Sequence, residues 1–255
     1  MSVQLAELTA FLDQCFSGFT GQDHSNNGLQ IEGKAKIRKV AFAVDACAQV
    51  FQAAADQDCD FVFCHHGLSW GGGLPYITGN TAERLKIMMN HGISLYAVHL
   101  PLDAHPDFGN NAQLAQILQV NDPVPFGIYH GSPIGYMGTM AKPMTPRKMN
   151  EVLSIALNSS CRLFKTGSAE TISKVALISG GGADFVHAAA EAGMECLVTG
   201  EMLHQFYHEA LEAGIHVISG GHYATETVGP KAVMAHVARS FPQLQVTFID
   251  APTGL

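Results

Sequence analysis

The heptapeptide Phe61-Val-Phe-Cys-His-His-Gly67 limits what this chain can fold into more than any other stretch. Its first four residues are all apolar, so neither face of an extended segment there suits water. A short run of that kind reads as a strand covered on both faces, the habit of parallel sheets packed between helices. Two imidazoles follow directly. Side chains alternate along a strand, so His65 and His66 can share one site only if the chain turns where they stand, and Gly67 permits that turn. Open α/β sheets bind ligands at the C-terminal ends of their strands. Two histidines on such a base are the start of a metal site.

The surrounding sequence keeps the same rhythm. Val3, Leu5, Leu8, Phe11, Leu12 and Cys15 recur near helical spacing, giving an amphipathic first helix. The turn-rich Asp23-His-Ser-Asn-Asn-Gly28 leads to a short edge strand over 29–32. Strand 40–44, an alanine-rich helix over 46–57, strand 61–64, helix 81–91, strand 93–98 and helix 110–118 then alternate. Asn80 or Thr81 caps the third helix and Gly92 stops it. Such alternation predicts a parallel α/β unit. It lapses over 121–172, where Pro123 and Pro125 close the first unit. There, 136–140 reads as a strand, Thr145-Pro146 as cap and first turn of a helix to about residue 157, and 161–165 as another strand.

The pattern returns with strand 174–179, the turn Gly180-Gly-Gly, a helix through Ala190, strand 196–199, a helix over 202–213, strand 215–219 and a closing strand over 246–250. Laid on 39–64 at an offset of 135, this second stretch repeats Lys-Val-Ala and, in mid-helix, Ala-Ala-Ala. The fold class expected is therefore α/β, two related lobes with mainly parallel sheets. The first lobe is expected over 1–122, an inserted or linking subdomain over 123–172 and the second lobe over 173–255.

Composition narrows the function classes. The 255 residues are 47% hydrophobic and 14% charged, enough for a sizeable core and without a disordered signature. A net charge of −8 argues against a nucleic-acid backbone or an anionic membrane surface as partner. The first twenty residues lack the basic start and apolar core of a signal peptide, and no 18-residue window is apolar and uncharged, so a cytoplasmic location is expected. Six cysteines form no C-x-x-C pair and sit in apolar runs, which reads as reduced thiols and neither disulfides nor thiolate zinc ligands.

The polar residues that follow the strands are His65, His66, His99, Asp103, Glu201, His204, His222 and Glu226. In a doubly wound sheet they share one rim. His222 and Glu226 are four apart and share a face if a helix starts near Tyr223. Imidazole and carboxylate without thiolate suit Zn, Mn, Fe, Ni or Co. Each piece alone has an ordinary explanation: turn histidines bonded to backbone, a helical ion pair, a turn aspartate. Their joint order favours a metal centre. Gly180-Gly-Gly fits no phosphate-binding pattern and reads as a tight turn. Trp70, Tyr76 and Phe108 lie in loops near the rim, where packing explains them better than stacking on a base.

His65-His66-Gly, His99-x-x-x-Asp103, Thr199-Gly-Glu201-x-x-His204, Gly221-His-Tyr-x-Thr-Glu226 and Asn26-Asn-Gly-Leu-Gln30 together resemble the YbgI-like family, also called NGG-one-interacting factor three-like. Many of its members are labelled GTP cyclohydrolase I type 2 homologues. The resemblance runs the full length, departing at Pro101-Leu102 before the aspartate and at Gly67-Leu68 after the paired histidines. It implies two divalent metal ions held by His65, His66, Asp103, His222 and Glu226, with His99, Glu201 and His204 nearby as acid/base or supporting groups. Five protein ligands cannot fill two coordination shells, so open positions remain. Two such ions, offset by two carboxylates and a hydroxide, leave a charge of about +1, which favours an anionic, nucleotide-like small-molecule substrate. The resemblance thus implies a dinuclear metal-dependent hydrolase, with a metal-handling or scaffold protein as the alternative, assembled as a ring-shaped hexamer of three dimers.

Overall fold

Phe61, Val62, Phe63 and Cys64 are fully buried, as a strand covered on both faces requires. The computed structural model describes residues 2–74 and 76–255 and divides the chain into two units, 1–102 with 230–251 and 103–229 with 252–255. In chain order the elements are β1 (Val3–Gln4), α1 (Leu5–Phe16), β2 (Gly28–Ile31), β3 (Lys36–Ile37), β4 (Lys39–Asp45), α2 (Ala48–Asp56), β5 (Phe61–His66), α3 (Gly79–His91), β6 (Ser94–Ala97), α4 (Leu100–Asp103), α5 (Asn110–Ile117) and β7 (Val120–Tyr129). There follow β8 (Ser132–Met144), α6 (Pro146–Leu157), β9 (Arg162–Phe164), β10 (Ile172–Ile178), α7 (Val186–Glu191), β11 (Cys196–Thr199), α8 (Phe206–Ala213), β12 (His216–Ser219), α9 (His222–Thr225), α10 (Val228–Ser240) and β13 (Gln245–Phe248). Among the described residues no helix is long and apolar enough to cross a membrane.

The first unit holds a sheet of order β13-β4-β5-β6-β2, parallel except for β2, which pairs antiparallel with β6 at the edge. Alternation sorts its core by size. Ala41, Ala43, Val62 and Cys64 pack with Val50, Phe51 and Ala54 of α2. Phe42, Phe61, Phe63 and Tyr96 form a ring layer on the other face, with Phe63 6.2 Å from Phe16 at the end of α1. Burial of one such side chain contributes about 1.5–3 kcal/mol. The Tyr96 hydroxyl donates to Asp13 Oδ1 at 2.7 Å, which ties α1 to the layer.

The second unit holds a sheet of order β7-β8-β10-β11-β12-β9. Again three consecutive strands, β10, β11 and β12, run parallel, and an antiparallel strand closes the edge beside the third. Residues 123–172 are built into this unit: β8 bonds to β10, β9 to β12, and α6 packs Met149 and Leu153 into its core. Thr145 caps α6 by accepting from Lys148 N–H at 3.2 Å, and Pro146 takes the first turn.

Two local expectations are corrected. Pro123 and Pro125 do not end the first unit; they lie inside β7, an edge strand whose register shifts between Asn121 and Val124. Pro123 falls in that irregularity and Pro125 stands opposite Tyr136, and an edge strand is where proline is tolerated. Helix α3 begins at Gly79, with Thr78 at the cap and no side-chain cap bond, so neither Asn80 nor Thr81 caps it; Gly92 does end it, at φ 61°.

Candidate functional site

In the first unit, β5 and β6 deliver three imidazoles to the same strand ends. His65 is fully buried, and its Nδ1 lies 2.9 Å from the Val98 carbonyl oxygen. His66 Nδ1 is 2.8 Å from Asp45 Oδ1, at the end of the neighbouring β4. His99 Nδ1 is 2.9 Å from Asp23 Oδ1. Carbonyl and carboxylate oxygens only accept, so a neutral ring in each place carries its proton on Nδ1 and presents Nε2 as the nitrogen able to act as a ligand. Ring centroids stand 4.5, 5.2 and 5.6 Å apart, and one ligand-capable atom from each of the three lies within 4.8 Å of the others. An imidazole whose second nitrogen is held by a carboxylate or carbonyl is the usual arrangement behind a metal-ligating histidine.

The turn after His66 works because Gly67 has no side chain; a Cβ there would strike Ala97 and the Gln30 amide. Gln30 accepts from Leu68 and Ser69 N–H, which holds the loop. Trp70 donates its indole N–H to Gly67 O at 2.8 Å, and its ring stands 5.0 Å from His99 and 6.3 Å from His66. Burial alone would raise the Asp23 carboxyl, but the hydrogen bonds it accepts from His99, Asn27 and the Ser25 N–H hold it down at about 2.

In the second unit the acidic residues collect. Asp103 ends α4, is 5% exposed, and accepts at Oδ1 from Asn110 Nδ2 at 2.8 Å and Ser179 Oγ at 3.0 Å. Glu226 is 3% exposed, with a carboxylate oxygen within 4.8 Å of one from Asp103. One-turn α9 places His222 Nε2 3.2 Å from Glu226 Oε1, so these two do share a face. His222 Nδ1 lies 2.6 Å from Glu201 Oε1. The hydrogen bond that His222 donates to Glu226 raises the imidazole to about 9, against its burial and with Glu201 adding to the rise. Two buried carboxylates this close suit a cation, since neither like charge can relieve the other.

Gly180, at φ +61°, passes where any side chain would collide with Glu226 Oε1 and crowd His222 Nε2. Its N–H donates to Thr225 Oγ1 at 3.0 Å and Gly182 N–H to Thr199 Oγ1 at 2.9 Å. With those amides engaged, Gly180-Gly-Gly is a tight turn beside a carboxylate. His204 is exposed in the turn before α8. His216 is a satisfied core histidine, bonded to Gly167 N–H and to the Ala169 carbonyl.

Sequence reasoning missed Asp23 and Asp45. Asp45 could have been found, because the strand-end rule that selects His66 selects it equally. Asp23 sits in a loop whose residues all read as turn formers, and nothing local marks it.

A family model described as Duf34/NIF3 (NGG1p interacting factor 3) matches residues 3–254. A Pyrococcus horikoshii protein named GTP cyclohydrolase 1 type 2 homolog is 41% identical over 250 residues, 98% of each chain. Among solved structures, the protein ybgI, described as of unknown function, superposes with a TM-score of 0.90 at 33% identity over 99% of this chain and 100% of its own. A protein from Thermus thermophilus superposes with a TM-score of 0.89 at 37% identity over the same shares.

Proposed function

We propose a function from one established premise: the chain belongs to the Duf34/NIF3 family. It is a metal-dependent hydrolase in which His65, His66, Asp103, His222 and Glu226 hold two divalent ions and a small anionic substrate is opened by water. The observation that carries this reading is the donor chemistry. Three imidazoles have Nδ1 tied to acceptors, and two buried carboxylates crowd each other. Both arrangements fit a borderline divalent ion. When bound, a metal pair supplies a water whose pKa is lowered to about 7 and so a nucleophile at neutral pH.

The chain's own residues do the rest. His99, held at Nδ1, accepts the proton at Nε2. Glu201 orients His222 through Nδ1. His204, at the surface, passes the proton to solvent. Trp70 walls the histidines on one side. The names of the relatives suggest GTP as the first compound to try.

The test is protein purified without chelating resin, analysed for metal and assayed for opening of the GTP ring and for release of phosphate. The expected result is about two ions per chain that survive dialysis, with turnover lost in the His65→Ala, Glu226→Ala double variant. Full turnover in that variant would sink the site assignment. Readily exchanged metal with no turnover on a nucleotide panel would favour metal handling instead. The same preparation tests the proposed hexamer of three dimers, for which exposed Tyr207 and Leu211, one turn apart on α8, offer an apolar stripe. Light scattering that returned the 27.2 kDa of one chain would remove it.

A further inference from the structure

Asp23 is absent from that ligand set, yet both oxygens of its carboxylate are engaged. Its side chain is 6% exposed. Oδ1 accepts from Ser25 N–H and from His99 Nδ1, each at 2.9 Å. Oδ2 accepts from Leu100 N–H at 2.9 Å and from Asn27 Nδ2 at 3.0 Å. Asn27 in turn offers Oδ1 to the His99 N–H at 2.8 Å. One short loop thus grips the ring of His99, its backbone and the residue after it.

We propose that Asp23 is a positioning residue: it fixes His99 as the Nδ1–H tautomer, so that Nε2 faces the ligand atoms of His65 and His66 as a hydrogen-bond acceptor. This deepens the function proposed above and rests on it for its chemistry. Lone pairs decide which nitrogen carries the proton. A carboxylate with four donors around it cannot itself donate, so the only proton the ring can share with Asp23 is its own. Were the ring turned over, Asp23 would lose a charge-assisted bond and Nε2–H would bring a donor to a face where a cation or its water belongs.

Substitution separates this from a role in folding alone. In Asp23→Asn the amide nitrogen meets two donors at the Oδ2 position but one backbone donor at Oδ1. It therefore settles at Oδ1, facing His99, and donates to Nδ1. The ring must then carry its proton on Nε2, the wrong tautomer, with the loop still closed. His65 and His66 keep their own acceptors, Val98 and Asp45.

The experiment is nitrogen-15 histidine spectroscopy of the metal-free and zinc-loaded chain, with the His99 signals assigned through His99→Gln. The wild type is expected to show His99 protonated at Nδ1 and bare at Nε2. Asp23→Asn is expected to show the reverse in the metal-free chain, with zinc content at the wild-type figure. Asn27→Ala, which loosens the loop but leaves the Asp23 contact, is expected to keep the wild-type tautomer. If GTP is turned over, Asp23→Asn should lower kcat by roughly 10²–10⁴-fold with KM little changed. A wild-type ring protonated at Nε2, or an Asp23→Asn ring indistinguishable from wild type, overturns the proposal. Should Asp23→Asn not fold, the wild-type and Asn27→Ala spectra decide it. Absence of any turnover in the wild type would strike the hydrolase reading while leaving the tautomer result intact.

Discussion

Gly180 has little freedom to change beside the acidic group. At φ +61° an L side chain is strained by about 1–2 kcal/mol, and a methyl there runs into Glu226 Oε1. Gly180→Ala should therefore lower stability in urea by at least that strain and reduce bound zinc. Unchanged zinc with unchanged stability would show that Glu226 does not need the space. His222 gives a pH test in the metal-free chain. Its bond to Glu226, opposed by burial and reinforced by Glu201, raises it to about 9 from the usual value near 6.5. A pKa raised on folding contributes stability that is fully present below the unfolded value and is lost as pH rises through the folded one. Thermal melts of metal-free protein should thus decline between about pH 6.5 and about pH 9, and His222→Gln should flatten that decline. A decline of equal size in the variant would place its cause elsewhere. His222 and Glu226 were legible because helical spacing relates them directly. Asp23 was not, since its partner is 76 residues away and only the folded chain joins them.

At the scale of elements, β5 was the most legible, because a wholly apolar run can sit only where both faces are covered. Phe63→Ala removes a fully buried ring that contacts Phe16, Phe42 and Tyr96, so it should cost about 3–5 kcal/mol in denaturant unfolding. A loss under about 1 kcal/mol would mean the layer collapses to fill the gap. The cap of α6 was equally plain from Thr145-Pro146, and Thr145→Ala should cost about 1 kcal/mol. β7 was illegible for a physical reason. Proline signals a break by removing an N–H, but an edge strand tolerates that loss at a bulge or on its unpaired side, so the signal does not exclude a strand there. The start of α3 misled similarly: Asn80 and Thr81 look like caps, yet both lie inside the helix and Thr78 holds the cap position.

For the molecule as a whole, order along the chain and membership of a unit part company. β13 lies beside β4 although about 200 residues separate them, and the chain returns to the first unit only at residue 230. Local pattern shows each strand but not which sheet it joins, because pairing is decided by long-range burial that no window of residues contains. The same holds for ligands, which only the folded chain can bring together. The proposal treats His65, His66, Asp103, His222 and Glu226 as one set, so metal binding should stabilise the folded chain by mass action. With free zinc at a hundredfold over Kd, the gain is about 2.7 kcal/mol, roughly 5–11 °C in Tm for a chain of this size. His65→Ala and Glu226→Ala should each remove most of that zinc-dependent shift. The double variant should then lose little more than the worse single one, because residues serving one centre are not additive. Calorimetry with and without zinc measures all four proteins on one scale. If the two single losses simply add, the residues serve separate ions with no shared centre.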